Sequence, residues 1–336
     1  MAATGITIKE VARLAGVSYP VVSAVMNSNF KHIRVSDDTR KRVEEVISAC
    51  DYYPNSAAVS LVNNRSCHIG FMLADLVTDG FSNAYFSGIL AGVEMVCRES
   101  GWGLTISSYN LSNIDSFIFP ESVGQRAVDG VILAGFVCEH VIERFKQSRI
   151  PVICIDNDME VSCSIPTAGT DITIGLTKAV TYARQRGHQR IGYCIEYGER
   201  ASRIRDLLCN EGITFFQAYE GHSDFKAADK LFNDWIDVPE GQRPTLLMAT
   251  DQTLVEFLRI MGKKGIECPQ DLSLISSCDT YLCEYSSPQL TAIDHNNHEI
   301  GSKSAELLIS YLENKSGISN FTSTCRIVER DSVASN

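Results

Sequence analysis

The sequence lacks the features that would assign it to several common protein classes. Its 336 residues contain no apolar run close to the roughly 20 residues of a membrane span. Met1-Ala2-Ala3-Thr4-Gly5 has no basic segment leading into an apolar one, so we expect no secretory signal and a cytoplasmic location. There is no Gly-x-Gly-x-x-Gly, no Walker loop and no Gly-x-Ser-x-Gly, and we predict that the chain is not an enzyme.

Metal-site spacings are also missing. The chain has 12 cysteines but no Cys-x-x-Cys, which argues against a zinc ribbon or a thioredoxin-type site. We expect reduced thiols, many of them in the core. His295 and His298 could share a helical face, but no acidic third ligand stands at a suitable spacing. We therefore expect surface histidines, no metal and no cofactor.

An excess of basic residues is lacking too, but the charge is unevenly divided. The whole chain carries 30 Lys and Arg against 41 Asp and Glu, a net charge of −11, which argues against a nucleic-acid binder. Residues 1–65, however, hold 8 basic and 6 acidic residues, so the remainder carries −13. At about 150 residues per domain the length predicts two domains, and these may be expected to have different partners.

The first fifty residues predict three short helices. Thr7 stands three residues before Glu10, the spacing of a capping box, and Gly16 suits a helix C-terminus. Ser18 can cap a second helix, with Pro20 in its first turn, and Ser36 can cap a third. Two helices joined by such a tight turn are typical of a helix-turn-helix, although a structural three-helix cap on another kind of protein would show the same pattern.

The motifs here are dense and ordered. The strings TIKEVARLAGVSYPVVSAVMN and RVSDDTRKRVEEVISACDYYPNSAAVSL resemble the N-terminal region of LacI/GalR-family transcription regulators. The resemblance implies a helix-turn-helix domain at 1–53, a hinge helix and linker at 54–66, and an effector-binding and dimerisation domain at 67–336. It also implies a DNA-binding set: Thr7, Ser18, Tyr19, Pro20, Ser23, Ala24, Asn27, Asn55, Ala58 and Leu61.

Within that set the resemblance implies distinct roles. Tyr19, Pro20 and Ala24 would contact bases, while Ser18, Ser23 and Asn27 would face phosphates or hold the helix. Many relatives place Arg where Ala24 stands, so a bidentate contact to guanine is missing here. Leu61 of the hinge would wedge into the minor groove and bend the DNA. A plain linker is the alternative for residues 54–66.

Beyond residue 66, apolar runs alternate with amphipathic stretches. This alternation predicts an α/β fold with parallel sheets covered on both faces. There are too many units for one sheet, so two Rossmann-like lobes with a ligand cleft follow. We expect the chain to cross between lobes near 187 and 288. The family resemblance, in motifs such as Gly-His-Gln-Arg-Ile and Pro-Gln-Leu-Thr, extends over this region and implies the periplasmic-binding-protein-like type I fold.

The same resemblance implies a set of effector-binding residues. Arg200 stands where the family places a ligand-clamping Arg, and Cys278 where it places an effector-binding Asp. That departure predicts an effector other than a common hexose, or a site that has partly decayed. The full set is Asp75, Phe86, Asp171, Arg200, Asp251 and Cys278, each of which could instead be a surface, capping or core residue.

Two functions follow from these patterns. The first is a sequence-specific DNA-binding regulator, most often a repressor, that binds a near-palindromic double-stranded operator as a homodimer or tetramer. A small effector, expected to be a sugar or sugar derivative, would control it, and no membrane partner is expected. The second is a ligand-binding or enzymatic α/β protein whose N-terminal helices are only structural.

Overall fold

The structure is a computed structural model that describes residues 6–26, 33–53, 65–77, 79–155, 165–195, 199–208, 211–217, 224–315 and 317–335. The chain divides into two compact units, residues 1–66 and residues 67–336. Among the described helices, none is long and apolar enough to cross a membrane.

Three helices form the described part of the first unit: α1 (Ile8–Ala15), α2 (Tyr19–Met26) and α3 (Asp37–Ala49). The caps are those predicted. Thr7 Oγ1 accepts from the Glu10 amide at 3.4 Å, and Ser36 Oγ accepts from the Thr39 amide at 3.3 Å. Gly16 ends α1 at φ +64°, a left-handed conformation that glycine adopts without a Cβ penalty.

One small core holds these helices together. Val11, Ala15, Val22 and Val43 are buried at its centre, and each helix contributes at least one of them. Because short helices are marginal alone in water, this shared apolar contact is what stabilises them.

The second unit contains two sheets with the same strand order. The first sheet runs β2-β1-β3-β4-β5-β11 and the second β7-β6-β8-β9-β10-β12. All pairings are parallel except that of β10 with β12. The strands are β1 (His68–Ala74), β2 (Gly103–Tyr109), β3 (Gly130–Ala134), β4 (Val152–Ile155), β5 (Thr167–Thr170), β6 (Ile191–Ile195), β7 (Ile213–Gln217), β8 (Leu246–Ala249), β9 (Ser273–Ser276), β10 (Thr291–Asp294), β11 (Phe321–Ser323) and β12 (Arg326–Val328).

Helices cover both faces of each sheet. In the first lobe, Phe71 of β1 faces a core shared with α4 and α12, whereas Met72 faces the core built with α6. This alternation follows from the two-residue period of a strand. The second lobe repeats it with α9 and α10 on one face and α7 and α8 on the other. The helices are α4 (Ala84–Glu99), α5 (Glu121–Gly124), α6 (Glu139–Ser148), α7 (Ile172–Gln185), α8 (Glu199–Leu208), α9 (Asp224–Asp237), α10 (Asp251–Lys264), α11 (Tyr281–Tyr285) and α12 (Asn297–Asn314).

The crossovers between lobes are not near 187 and 288, as the sequence predicted. The chain leaves the first sheet after β5, because α7 already packs on the second sheet. It returns between β10 and α12, which packs on the first sheet, and passes back between β11 and β12. Gly187, at φ +92°, follows the end of α7, and Pro288 precedes β10 within the second lobe. Both residues mark local turns rather than changes of lobe.

Helices α4 and α12 pack at backbone distance through two glycines. A Cβ built on Gly301 would lie 1.9 Å from the carbonyl oxygen of Ile89, and one built on Gly92 would lie 2.1 Å from that of His298. Neither oxygen is at the end of a flexible side chain, so the helices can approach this closely only because these positions carry no side chain.

We predict that Gly301→Ala lowers the free energy of unfolding by about 1–3 kcal/mol, because the new methyl group overpacks the α4–α12 contact. Gly262→Ala is the matched control. Gly262 lies in helix α10 with no atom within 4 Å of its built Cβ, so the change should stabilise the protein by about 0.5–1 kcal/mol. Urea unfolding measures both changes. Equal effects of the two substitutions would contradict the packing assignment.

Candidate functional site

Helix α2 presents its first turn to solvent. The Tyr19 side chain is 58% exposed. Ser18 beside it is exposed, and Pro20 and Ser23 are half-buried. These four predicted DNA-binding residues are therefore accessible. Thr7 is exposed as well, and its hydroxyl caps α1.

Ala24 requires a correction. It was predicted to contact bases, but it is only 6% exposed, between the buried residues Val22 and Val25 of the same helix. A methyl group covered in this way offers almost no surface to a base edge, so Ala24 is removed from the candidate base contacts. Asn27, and the hinge residues Asn55, Ala58 and Leu61, lie outside the described residues.

Ion pairs neutralise part of the basic charge of the first unit. Arg13 donates to Glu10 at 2.6 Å, and Arg40 donates to Glu44 at 2.8 Å. The guanidinium of Arg13 lowers the pKa of the Glu10 carboxyl through a hydrogen bond and its charge. Both pairs are exposed, so they contribute little stability. They do reduce the net field that the unit presents to an anionic partner.

In the second unit the carboxyl ends of the two sheets face each other. Asp79 follows β1 in the first lobe and Gln252 follows β8 in the second, and Gln252 Nε2 donates to Asp79 Oδ2 at 3.2 Å. A cleft between such edges is where open α/β sheets bind ligands. Of the predicted effector residues, Asp75 lies exposed directly after β1. Phe86 is half-buried in the first turn of α4.

Asp171 and Arg200 begin helices of the second lobe. The Asp171 carboxylate accepts from the Thr173 amide at 2.9 Å and from the Thr173 hydroxyl, so it caps α7. A capping role for Asp171 was the alternative interpretation of the sequence, and the structure supports it. Arg200 lies in the first turn of α8, but its side chain is outside the described part of the chain.

Asp251 and Cys278 are brought together, as their shared prediction requires. Asp251 is 5% exposed, and its Oδ1 accepts from the Cys278 thiol at 3.3 Å. Its Oδ2 accepts from the Thr280 hydroxyl. Burial raises the pKa of Cys278 well above that of a free thiol, and the nearby Asp251 carboxylate raises it further. The sequence pattern had no signal for Thr280, and with it the Asp251 carboxylate is largely occupied by its own neighbours.

Two apolar side chains near these edges were missed by the sequence analysis. Leu76, after β1, is 68% exposed, and Phe136, after β3, is 48% exposed. Gly135, between β3 and Phe136, has φ +90° and turns the chain sharply at the strand end. An aromatic residue directly after a strand and a glycine is a signal that could have identified Phe136. Exposed apolar groups beside carboxylates can form the platform of a ligand site.

His295 is buried, which corrects the prediction of a surface histidine at this position, whereas His298 is exposed as predicted. His295 is 3% exposed, its Nε2 lies 2.7 Å from the Ser277 carbonyl oxygen, and its Nδ1 lies 3.3 Å from Cys325 Sγ. An Nε2–H that donates to the carbonyl leaves Nδ1 to accept from the thiol. The described residues contain no group of three or more His, Cys, Asp or Glu side chains that could hold a metal ion.

A polar cavity of about 700 Å³ opens where the two lobes meet beside α4. Asp279, one of its acidic residues, forms a bidentate pair with Arg330 at 2.8 and 3.1 Å. Asp294, another, pairs with Arg326 at 2.8 Å. The lining residues are Ala84, Ser87, Gly88, Ala91, Asp279, Thr280, Tyr281, Asp294, Asn296, Asn297, His298 and Glu299.

Each of the two units matches a known protein family. Residues 7–55 match the family described as "Bacterial regulatory proteins, lacI family", and residues 180–333 match "Periplasmic binding protein-like domain". The chain therefore contains a lacI-family helix-turn-helix domain and a periplasmic-binding-protein-like domain. The predicted fold class is thereby confirmed: a helix-turn-helix domain is followed by a two-lobed periplasmic-binding-protein-like domain.

Curated relatives match this chain over nearly its full length. The transcriptional repressor CytR of Escherichia coli (strain K12) is 27% identical, covering 98% of this chain and 97% of CytR. The repressor PurR of Vibrio cholerae is 28% identical, covering 97% and 98%. A crystal structure of the lac repressor dimer bound to operator and the anti-inducer ONPF is 21% identical, with a TM-score of 0.78 over 98% of this chain and all of that one.

We predict that Asp251→Ala lowers the free energy of unfolding by about 1–3 kcal/mol, because the half-buried Thr280 and Cys278 lose their acceptor. Asp237→Ala, at an exposed position on α9, is the control and should change stability by less than about 0.5 kcal/mol. Chemical denaturation measures both. A silent Asp251 variant would mean that its carboxylate is not bound to these partners.

Proposed function

We propose that this protein is a transcriptional repressor whose affinity for an operator is controlled by a small molecule bound between its two lobes. The observation that carries the proposal is the full-length match to CytR and PurR, which are named as repressors. Both units are covered by these matches. The alternative of an enzyme or a ligand-binding protein with structural helices is disfavoured, because the first unit matches a regulatory family over residues 7–55.

DNA recognition is proposed for the exposed start of α2. Tyr19 offers an aromatic face and a hydroxyl, and Pro20 offers an apolar surface that suits a thymine methyl group. Ser18 and Ser23 can donate to phosphate oxygens, which fix the orientation of the helix on DNA. With Ala24 buried, specificity depends more on Tyr19 and on DNA shape. Thr7 and Asn27 complete the proposed phosphate contacts.

The hinge and a homodimer are proposed to supply the remaining affinity. Residues 1–65 carry a net charge of only +2, and two of the arginines there are paired with glutamates. Dimerisation doubles the number of phosphate contacts on a near-palindromic operator. Asn55 and Ala58 would form the hinge helix, and Leu61 would insert between base steps in the minor groove. A cytoplasmic location is part of the same proposal.

The effector is proposed to bind at the facing strand ends. Asp75 provides an exposed acceptor, Arg200 the clamp, and Phe86 with Phe136 and Leu76 the apolar platform. A sugar or a sugar derivative combines hydroxyl groups with an apolar ring face and so matches this chemistry. Asp171, Asp251 and Cys278 would shape the site from behind, since their polar atoms are already bound within the protein.

Regulation would act by a shift between lobe arrangements. A ligand that touches both lobes binds the closed arrangement more tightly than the open one, and it moves the equilibrium by that difference in affinity. Operator affinity then changes in proportion, whether the ligand induces or co-represses. The proposal is tested by selecting an operator from random DNA and measuring binding with a panel of sugars, nucleosides and other metabolites.

We predict that Tyr19→Ala lowers affinity for the selected operator about 5–100-fold, the cost of roughly 1–3 kcal/mol for a lost base contact. Tyr19→Phe separates the ring from the hydroxyl and should retain most of the affinity if apolar contact dominates. Fluorescence anisotropy on labelled operator measures both. Wild-type affinity in Tyr19→Ala would exclude α2 as the recognition helix.

We predict that Arg200→Ala abolishes the thermal stabilisation caused by the ligand, because truncation leaves the ligand acceptors without their charged donor. Arg205→Ala on the same helix is the control. Its guanidinium lies over the Phe215 ring at 5.0 Å, so its loss may be expected to lower the melting temperature but keep the ligand-induced shift. A full ligand shift in Arg200→Ala would show that the clamp lies elsewhere.

A further inference from the structure

Gln252 has one polar atom bound and the other unbound. The side chain is 4% exposed, and its Nε2 donates across the cleft to Asp79 Oδ2 at 3.2 Å. Its Oε1 is also buried, yet no donor from the described residues reaches it. A buried amide normally satisfies both ends, and an unpaired acceptor costs a large part of what a hydrogen bond contributes. The hydrogen bond of Nε2 therefore favours the contact between the lobes, whereas the unpaired Oε1 disfavours it.

The two residues belong to different lobes. Gln252 lies in the first turn of α10, flanked by the buried residues Asp251 and Thr253. Asp79 is exposed in the connection between β1 and α4. Moving the lobes apart breaks the hydrogen bond to Asp79, but it also lets water reach Gln252 Oε1. Opening therefore breaks the hydrogen bond to Asp79 and removes the free-energy cost of the unpaired Gln252 Oε1.

Asp79 is held in place by its own backbone. Its φ is +64°, in the left-handed region that few residues other than glycine adopt. The Gly80 amide donates to the Val77 carbonyl oxygen at 3.0 Å, and the Ser82 amide donates to that of Asp79 at 3.0 Å. The Asp79 carboxylate links this connection of the first lobe to Gln252 of the second lobe.

We propose that Gln252 and Asp79 form a weak latch between the lobes that sets how readily the ligand-free protein opens. This inference rests on the proposed function, since it assigns a regulatory role to the same cleft. A latch whose two halves nearly cancel keeps the open and closed arrangements close in free energy. A ligand then needs only a small difference in affinity between the two to change their populations.

The latch also indicates the chemistry of the group that would tighten it. The polar atoms that Asp79 and Gln252 can still offer are acceptors, a carboxylate oxygen and an amide oxygen. A hydroxyl or amine of a ligand enclosed beside them can supply the missing donor, whereas a phosphate or carboxylate would meet like charge or another acceptor. At this point of the cleft the latch favours ligands rich in hydrogen-bond donors.

The test measures lobe opening without DNA or ligand. The readout is amide hydrogen exchange at residues 251–253, which are buried in the closed arrangement. Gln252→Glu replaces the donor by a carboxylate facing Asp79, and exchange should become at least 10-fold faster. Gln252→Leu removes both the hydrogen bond and the unpaired acceptor, and exchange should stay within about 3-fold of wild type. Asp79→Ala removes the carboxylate from the exposed side of the contact and should also accelerate exchange.

Rescue across the cleft separates a latch from a local packing role. Adding Asp79→Lys to Gln252→Glu places opposite charges across the gap and should return exchange to within about 3-fold of wild type. The matched control is Gln289→Glu, since Gln289 Nε2 donates to the Glu284 carbonyl oxygen at 2.8 Å within one lobe. That change should leave exchange at 251–253 unaltered.

Two results would overturn the latch: wild-type exchange in both Gln252→Glu and Asp79→Ala, or no recovery in the double variant. These outcomes do not depend on DNA binding. If the latch variants behave as expected but no ligand in the panel alters operator affinity, the latch stands and the proposed effector control fails. If ligand control is found but the latch variants are silent, only the latch fails.

Discussion

Three passages of the chain between the lobes meet at one buried thiol, and the arrangement of the second unit depends on this meeting. Cys325 Sγ lies 2.8 Å from Thr170 Oγ1, 3.3 Å from His295 Nδ1 and 3.7 Å from the Asp171 carbonyl oxygen. Thr170 and Asp171 border the passage from β5 to α7, and His295 lies in the passage from β10 to α12. Cys325 itself lies in the passage from β11 to β12. Burial raises the pKa of Cys325, so it remains a neutral hydrogen-bonding group.

This junction makes the two lobes one folding unit while leaving them a pivot. Neither sheet is complete without a strand that arrives from the far side of the junction, since β11 joins the first sheet and β12 the second. Away from the pivot, the hydrogen bond between Gln252 and Asp79 joins the two lobes within the described part of the chain. A ligand between the strand ends therefore acts on a contact that is easily shifted, whereas the lobes themselves stay rigid.

Local signals explain what could be predicted from the sequence. In the first unit, α1 and α3 have the side-chain caps that the sequence predicted, and their ends follow from Thr7, Gly16 and Ser36. The long apolar strands of each lobe were predicted for the same reason. Strands β11 and β12 have only three residues each and depend on pairing with distant strands, so they carry no such local signal. The crossovers of the chain between the lobes were predicted at the wrong positions, because a turn residue does not indicate which sheet the next element joins.

The candidate site could likewise be predicted from the sequence only in part. The family resemblance named Asp251 and Cys278 separately, and the structure brings them into contact. Their engagement with one another and with Thr280 depends on side-chain geometry, which no single-sequence pattern encodes. Gln252 was overlooked because a glutamine after an aspartate has no distinctive spacing. Its importance arises only from Asp79, 173 residues away in sequence.

The most direct test of the account links ligand binding to DNA binding in one titration. A ligand that raises the melting temperature of the full chain should change its apparent Kd for the selected operator by at least about 5-fold, the lower range of measured couplings between sites. By reciprocity, operator DNA should change the affinity for that ligand by the same factor. A ligand that stabilises the protein but leaves operator affinity unchanged would contradict control of the DNA-binding unit by the cleft.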